Sequence, residues 1–131
     1  MPGKNKIASM GKVGVLKIDK DCFVGKDWID SYVDLIVKEC GSFGVTVKTI
    51  KMCNSKRKGL HFYVKIDPPI EPTLANKLQF LLGDDALRVD FNRARIESSL
   101  IEWNKLFEVA GRRLRTIYKG ASENKSRCKQ M

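Results

Sequence analysis

Asp19 and Asp21 stand one residue apart at the end of the apolar run 12-KVGVLKID-19, and the only histidine, His61, follows the basic run Lys56-Arg57-Lys58. Two carboxylates spaced in this way on a strand can hold a divalent ion, Mg or Mn, between them. Substrate phosphates then complete the shell, as in nucleotidyl transfer. An imidazole with neighbouring Lys56, Arg57 and Lys58 suits a triphosphate. Each residue also has a plain reading. The carboxylates alternate with Lys17 and Lys20 as a solvated strand end, and His61 is a strand residue beside a basic turn.

Alternation decides whether these groups can meet. In 12–19, Leu16 and Ile18 share one face, which turns Asp19, and Asp21 if the strand continues, to the other. In 59-GLHFYVKI-66, Leu60, Phe62, Val64 and Ile66 form the inward face. His61, Tyr63 and Lys65 form the opposite one. A helix from Lys26 to Cys40 carries Trp28, Ile29, Tyr32, Val33, Ile36 and Cys40 on one stripe, and 45-VTVKTIKM-52 reads as another strand. Pro68-Pro69 and Pro72 stop the third strand. Leu74, Leu78 and Leu81 mark a helix over 73–82. Gly83 closes it, and a second helical piece from Asp84-Asp85 carries Leu87, Phe91 and Ala94. Ser99 and Glu102 fit a capping box for a last helix with Leu100, Trp103 and Phe107. Arg88, Arg93 and Arg95 read as a solvated or phosphate-facing helix side. The expectation is an α+β fold, an RRM/ferredoxin-like β-α-β-β-α sheet with helices on one face and extra C-terminal helices.

The succession 16-LKIDKD-21, helix, strand, 55-SKRKGLH-61 resembles the first two motifs of archaeo-eukaryotic-type primase-polymerases, especially the polymerase domains attached to bacterial end-joining ligases. The resemblance covers residues 13–66. It implies metal binding by Asp19 and Asp21, and contact of Ser55, Gly59 and His61 with the phosphates of an incoming nucleotide. It also implies an RRM-like catalytic core. The family's third motif, an Asp on a later strand, has its candidate in Asp90, with Asp67 as a weaker substitute. Family domains are longer, so the site reads as a minimal or degenerate nucleotidyltransferase. The run 79-QFLLGDDALRVDFNRARI-96 with Trp103 and Asn104 is similar to small, mostly uncharacterised proteins of archaeal viruses and phages, which implies a mobile-element provenance. Its Gly83-Asp84-Asp85 imitates the GDD of RNA polymerases but follows a leucine helix, and it reads as a helix stop and restart.

Length and charge frame these readings. A chain of 131 residues holds one core. Its net charge of +10 is uneven: residues 1–12 carry +3 and residues 111–131 carry +6. The expected organisation is a basic N-terminal tail over 1–12, one domain over 13–110 and a flexible basic C-terminal tail over 111–131. Such a distribution points to a polyanionic partner, most simply nucleic acid, met by Tyr63, Lys65, Arg112, Arg113 and Arg115. Two further readings are a non-catalytic nucleic-acid-binding protein and a homo-oligomeric interaction protein. No apolar run reaches the roughly 20 residues that cross a bilayer, and 1–12 has no apolar signal region, so an intracellular location is expected. The four cysteines form no CxxC pair and read as thiols in a reducing compartment.

Overall fold

The computed structural model describes residues 11–20, 25–54, 59–100, 103–104 and 114–120. It is an α+β fold in which β1 (Val13–Lys20), α1 (Lys26–Ser42), β2 (Thr46–Asn54) and β3 (Leu60–Ile70) are followed by α2 (Pro72–Leu81), α3 (Ala86–Glu97) and β4 (Arg115–Lys119). The four strands form one antiparallel sheet in the order β1-β3-β2-β4. β1 and β2 therefore flank β3, and α1 connects them in a split β-α-β unit of ferredoxin-like type.

Period-two alternation builds the core. Leu16 and Ile18 of β1, Phe62 and Val64 of β3, and Ile50 and Met52 of β2 are buried on one face. Tyr32, Val33, Ile36 and Cys40 of α1 and Ala75 and Leu78 of α2 pack with them. Tyr32 meets Phe62 edge-on, with ring centroids 5.0 Å apart. Each fully buried Leu, Ile or Phe contributes about 1.5–3 kcal/mol, so this stripe carries most of the fold's stability. No helix among the described residues is long and apolar enough to cross a membrane.

Several expectations need correction. β3 runs through Pro68 and Pro69 to Ile70 instead of stopping at 66. Pairing with β2 ends at Asp67, and the β1 register shifts between Lys65 and Ile70, so the prolines forfeit no ladder bond. Residues 115–119, assigned to the flexible tail, form β4 against β2. Ser99, expected to start a helix, has φ 60° and ends one. Its amide donates to the Ile96 carbonyl and that of Leu100 to the Arg95 carbonyl, the Schellman pattern at the end of α3. Gly83, at φ 89°, closes α2 in the same way.

The third helix departs most from its pattern. Leu87 and Phe91 are exposed, while Asn92 and Ile96 are buried. The inner side of α3 is thus largely polar.

Candidate nucleic-acid interface

The ladders arrange the face opposite the core into three rungs. Val15, Lys65, Thr49 and Lys119 lie across the first, and Lys17, Tyr63, Lys51 and Thr116 across the second. Asp19, His61 and Cys53 make the third. Directly opposed residues of antiparallel strands share a face, with Cβ atoms ~4.5–5.5 Å apart. Tyr63 is therefore flanked by Lys17 and Lys51, with Lys65 two residues on. Lys51, Lys65 and Lys119 are exposed, and Lys17 and Tyr63 half-buried. Asp19 is the only carboxylate in the three rungs.

The third rung has a different character. His61 is only 5% exposed and Cys53 only 7%. His61 Nε2 lies 3.5 Å from Asp19 Oδ1. The expected juxtaposition of Asp19 with His61 on neighbouring strands is present. The face opposite the core is not uniform: the end that holds His61 is closed, and the lysine end is open. Lys20, next along β1, turns to the helix side. Its Nζ lies 5.7 Å from the Trp28 ring and 5.3 Å from the Tyr32 ring, beside a cavity of about 370 Å³ that Leu35, Leu81 and Gly83 also line.

A polar seam fixes β1 at its outer edge. Gln79 Oε1 accepts from the Lys17 amide at 2.9 Å, and Asp84 Oδ1 accepts from the Asp19 amide at 2.9 Å. Arg88 donates to the Lys17 carbonyl, to Asp84 Oδ1 and to Asn104 Oδ1. Asp84 Oδ2 lies 2.9 Å from Arg88 Nη2, an ion-pair contact without hydrogen-bond alignment. Asn104 Nδ2 donates to Gln79 Oε1 at 2.7 Å, and the Gln79 amide donates back to Asn104 Oδ1 at 3.1 Å. Burial pushes the Asp84 carboxyl up from its ordinary value, against the opposing pull of the Arg88 guanidinium and the Asp19 and Asp85 amides. The seam takes the place of a neighbouring strand and holds Lys17 and Asp19 in register.

This corrects the reading of the arginines. Arg88 is a half-buried partner of the buried Asp84 carboxylate. Arg93 alone is solvated, pairing with Asp90 at 3.2 Å on the outside of α3. Arg95 binds Asn92 and the Trp103 carbonyl. The i,i+4 spacing of Asp84 and Arg88, and Asp85 as the N-cap accepting from the Arg88 amide, were signals already in the sequence. Their long-range partner, the edge of β1, was not.

Other predicted site residues separate. Asp90 is exposed on α3. Asp67 shares the open face, but it is six residues from His61 along β3, ~20 Å at strand spacing. Arg115 stands opposite Met52, on the core side of the sheet and away from Tyr63 and Lys65. Gly59 is buried at the start of β3. Asp21, Ser55, Lys56, Arg57, Lys58, Arg112 and Arg113 lie outside the described residues. Among the described residues no group of three or more His, Cys, Asp or Glu side chains is arranged to hold a metal ion. Comparison with protein-family models, with curated proteins and with solved structures gives no match to this chain.

Proposed function

We propose that the chain binds single-stranded nucleic acid on the open face of its sheet. One observation carries this reading: Tyr63 stands on the central strand between Lys17 and Lys51, with Lys65 and Lys119 on the adjoining rung. A tyrosine ring offers every base a stacking surface, and lysines spaced along the sheet meet the phosphates. The net charge of +10 favours encounter with any polyanion.

Fluorescence anisotropy with labelled single-stranded oligonucleotides tests it. Four lysine–phosphate contacts give a slope of log K against log salt of about −3, at ~0.7 per contact. Tyr63→Ala weakens binding about tenfold or more, for a stack of ~1–3 kcal/mol. Lys51→Gln flattens the slope by ~0.7. Deletion should spare β4, so the tail is tested by removing residues 121–131. Binding indifferent to Tyr63, Lys17, Lys51 and Lys65 sinks this reading.

The Asp19–His61 contact at 3.5 Å favours a second reading, the primase-polymerase-like site. There Asp19 and Asp21 would hold Mg or Mn, and His61 with Ser55, Lys56, Arg57, Lys58 and Gly59 would take the nucleotide's phosphates. The described residues supply one carboxylate and do not compose a metal site by themselves. Calorimetric titration of manganese with a nucleoside triphosphate discriminates. Saturable binding lost in a folded Asp19→Ala/Asp21→Ala variant supports this site, and absence of binding in wild type removes it.

A further inference from the structure

We infer that the cleft between α1 and the end of α2 binds a small organic monoanion with a flat apolar body. Lys20 takes the charge, and Trp28, Leu35 and Leu81 take the body. The inference does not depend on either proposed function, because the cleft lies on the helix side of the sheet, away from the lysine rungs.

Trp28, Ser31, Tyr32 and Leu35 recur at i, i+3, i+4 and i+7 along α1, so they form one stripe of the helix. The inner part of that stripe is packed: Tyr32 is buried, and its hydroxyl donates to the Leu82 carbonyl. The outer part is not covered. Leu35 is 43% exposed, and Leu81, across the cleft on α2, is 46% exposed. Between them lies the cavity of about 370 Å³, within the ~300–1,000 Å³ range of small-molecule sites.

Lys20 is the one cation of this lining. Among the described residues its Nζ has no carboxylate within ion-pair distance. It rests instead 5.7 and 5.3 Å from the centroids of the Trp28 and Tyr32 rings, which stack on each other at 4.7 Å. Ring faces offset part of an ammonium's charge but do not accept its three N–H donors as a carboxylate does. Gly83 leaves room for the ammonium, since a Cβ there would run into Lys20 Nζ. A half-buried cation held at the wall of an apolar cavity, without a carboxylate of its own, is an anchor for an anion.

The surroundings limit the ligand to one negative charge. Asp27 and Asp34 flank Ser31 on α1 at helical spacing, and the carboxyl end of α2 carries partial negative charge. A phosphate dianion meets this field with Lys20 alone to offset it. A carboxylate is matched one to one.

The test titrates the full chain with naphthalene-2-carboxylate and with 2-naphthylmethanol, an uncharged probe of the same body. The two tryptophan indole N–H resonances, assigned with Trp28→Phe, report the place of binding. The carboxylate should shift the Trp28 signal saturably and spare that of Trp103, with a Kd of about 1 mM or tighter for a ligand of this size. The alcohol should bind about tenfold more weakly, the worth of one charged hydrogen bond. Lys20→Met should remove that preference, and Leu35→Asp should weaken both probes, with circular dichroism reporting whether each variant folds. If neither folds, the two wild-type titrations decide alone. 2-Naphthyl phosphate, a dianion at pH 8, should bind less well than the carboxylate. Equal affinity of carboxylate and alcohol, an unmoved Trp28 signal, a folded Lys20→Met variant that keeps the preference, or tighter binding of the phosphate overturns the inference.

Discussion

β1 is held on its two sides by opposite kinds of material. Toward β3 it is paired by a backbone ladder, with Leu16 and Ile18 buried in the apolar core. On the outer side, Gln79, Asp84 and Arg88 replace a neighbouring strand with side-chain groups that bond the amides of Lys17 and Asp19 and the carbonyl of Lys17. A ladder bond tolerates any residue that keeps the strand. A side-chain seam depends on the identity of each member, and a missing member leaves buried polar groups unpaired. The same strand should therefore be robust on one side and brittle on the other. The seam also blunts an edge that could otherwise recruit another strand.

The largest test of this difference is Arg88→Ala. It removes the partner of a buried carboxylate and takes one donor from each of three acceptors at once. The expected loss is about 3–5 kcal/mol, the cost of leaving a buried charge uncompensated. Urea denaturation followed by circular dichroism measures it. Ile18→Val, on the ladder side of the same strand, should cost only about 0.5–1.5 kcal/mol. If the two losses are equal, the seam is a decoration of the edge and not its support. Phe91→Ala, on the exposed side of α3, should change stability little.

These expectations mirror what could be read from residues alone. Periodicity located β1, α1, β2 and the core face of β3, because each buries an apolar stripe whose spacing is local. It placed Asp19 and His61 on one face for the same reason, and the ladder made them neighbours. α3 was misjudged because its inner side carries Arg88 and Asn92, while the apolar spacing of Leu87 and Phe91 faces outward. No periodicity reveals that a polar helix face is buried when its partners are a strand edge and Asn104. β4 escaped for a related reason. Arg115–Lys119 is short and begins and ends with basic residues, so its strand character comes from pairing with β2. Cys53 lies just past the expected strand 45–52, and its place beside His61 came only from the register.

The helix ends that frame the seam give a smaller pair of effects, opposite in sign. Gly83 ends α2 at φ 89°, a backbone conformation that L side chains rarely adopt. Gly83→Ala should destabilise by about 1 kcal/mol or more, since alanine does not tolerate this backbone without strain. Ser99 holds the equivalent place after α3 at φ 60° with a side chain. Ser99→Gly should therefore gain about 0.5–1 kcal/mol. Thermal melts of the two variants should move in opposite directions from wild type. Equal shifts of one sign would show that the two ends do not share one geometry.

The smallest effect concerns proton binding at Asp84. Burial raises its pKa from 3.8, and Arg88 and two backbone amides only partly oppose this. A carboxyl with a folded pKa above its unfolded value binds its proton more tightly in the native state. Its favourable contribution is therefore full below 3.8 and fades as pH rises through the folded pKa. Lowering the pH from 7 to 4 should then stabilise wild type relative to Asp84→Asn, which retains one oxygen acceptor for the Asp19 amide and cannot titrate. Urea midpoints of both proteins at pH 4, 5, 6 and 7 give the difference directly. The opposite slope, with wild type weakening relative to the variant in acid, would mean that Arg88 outweighs burial. In that case the edge of β1 is fastened by an ion pair. With the slope expected here, a cluster of hydrogen bonds fastens it, at the standing cost of a buried charge.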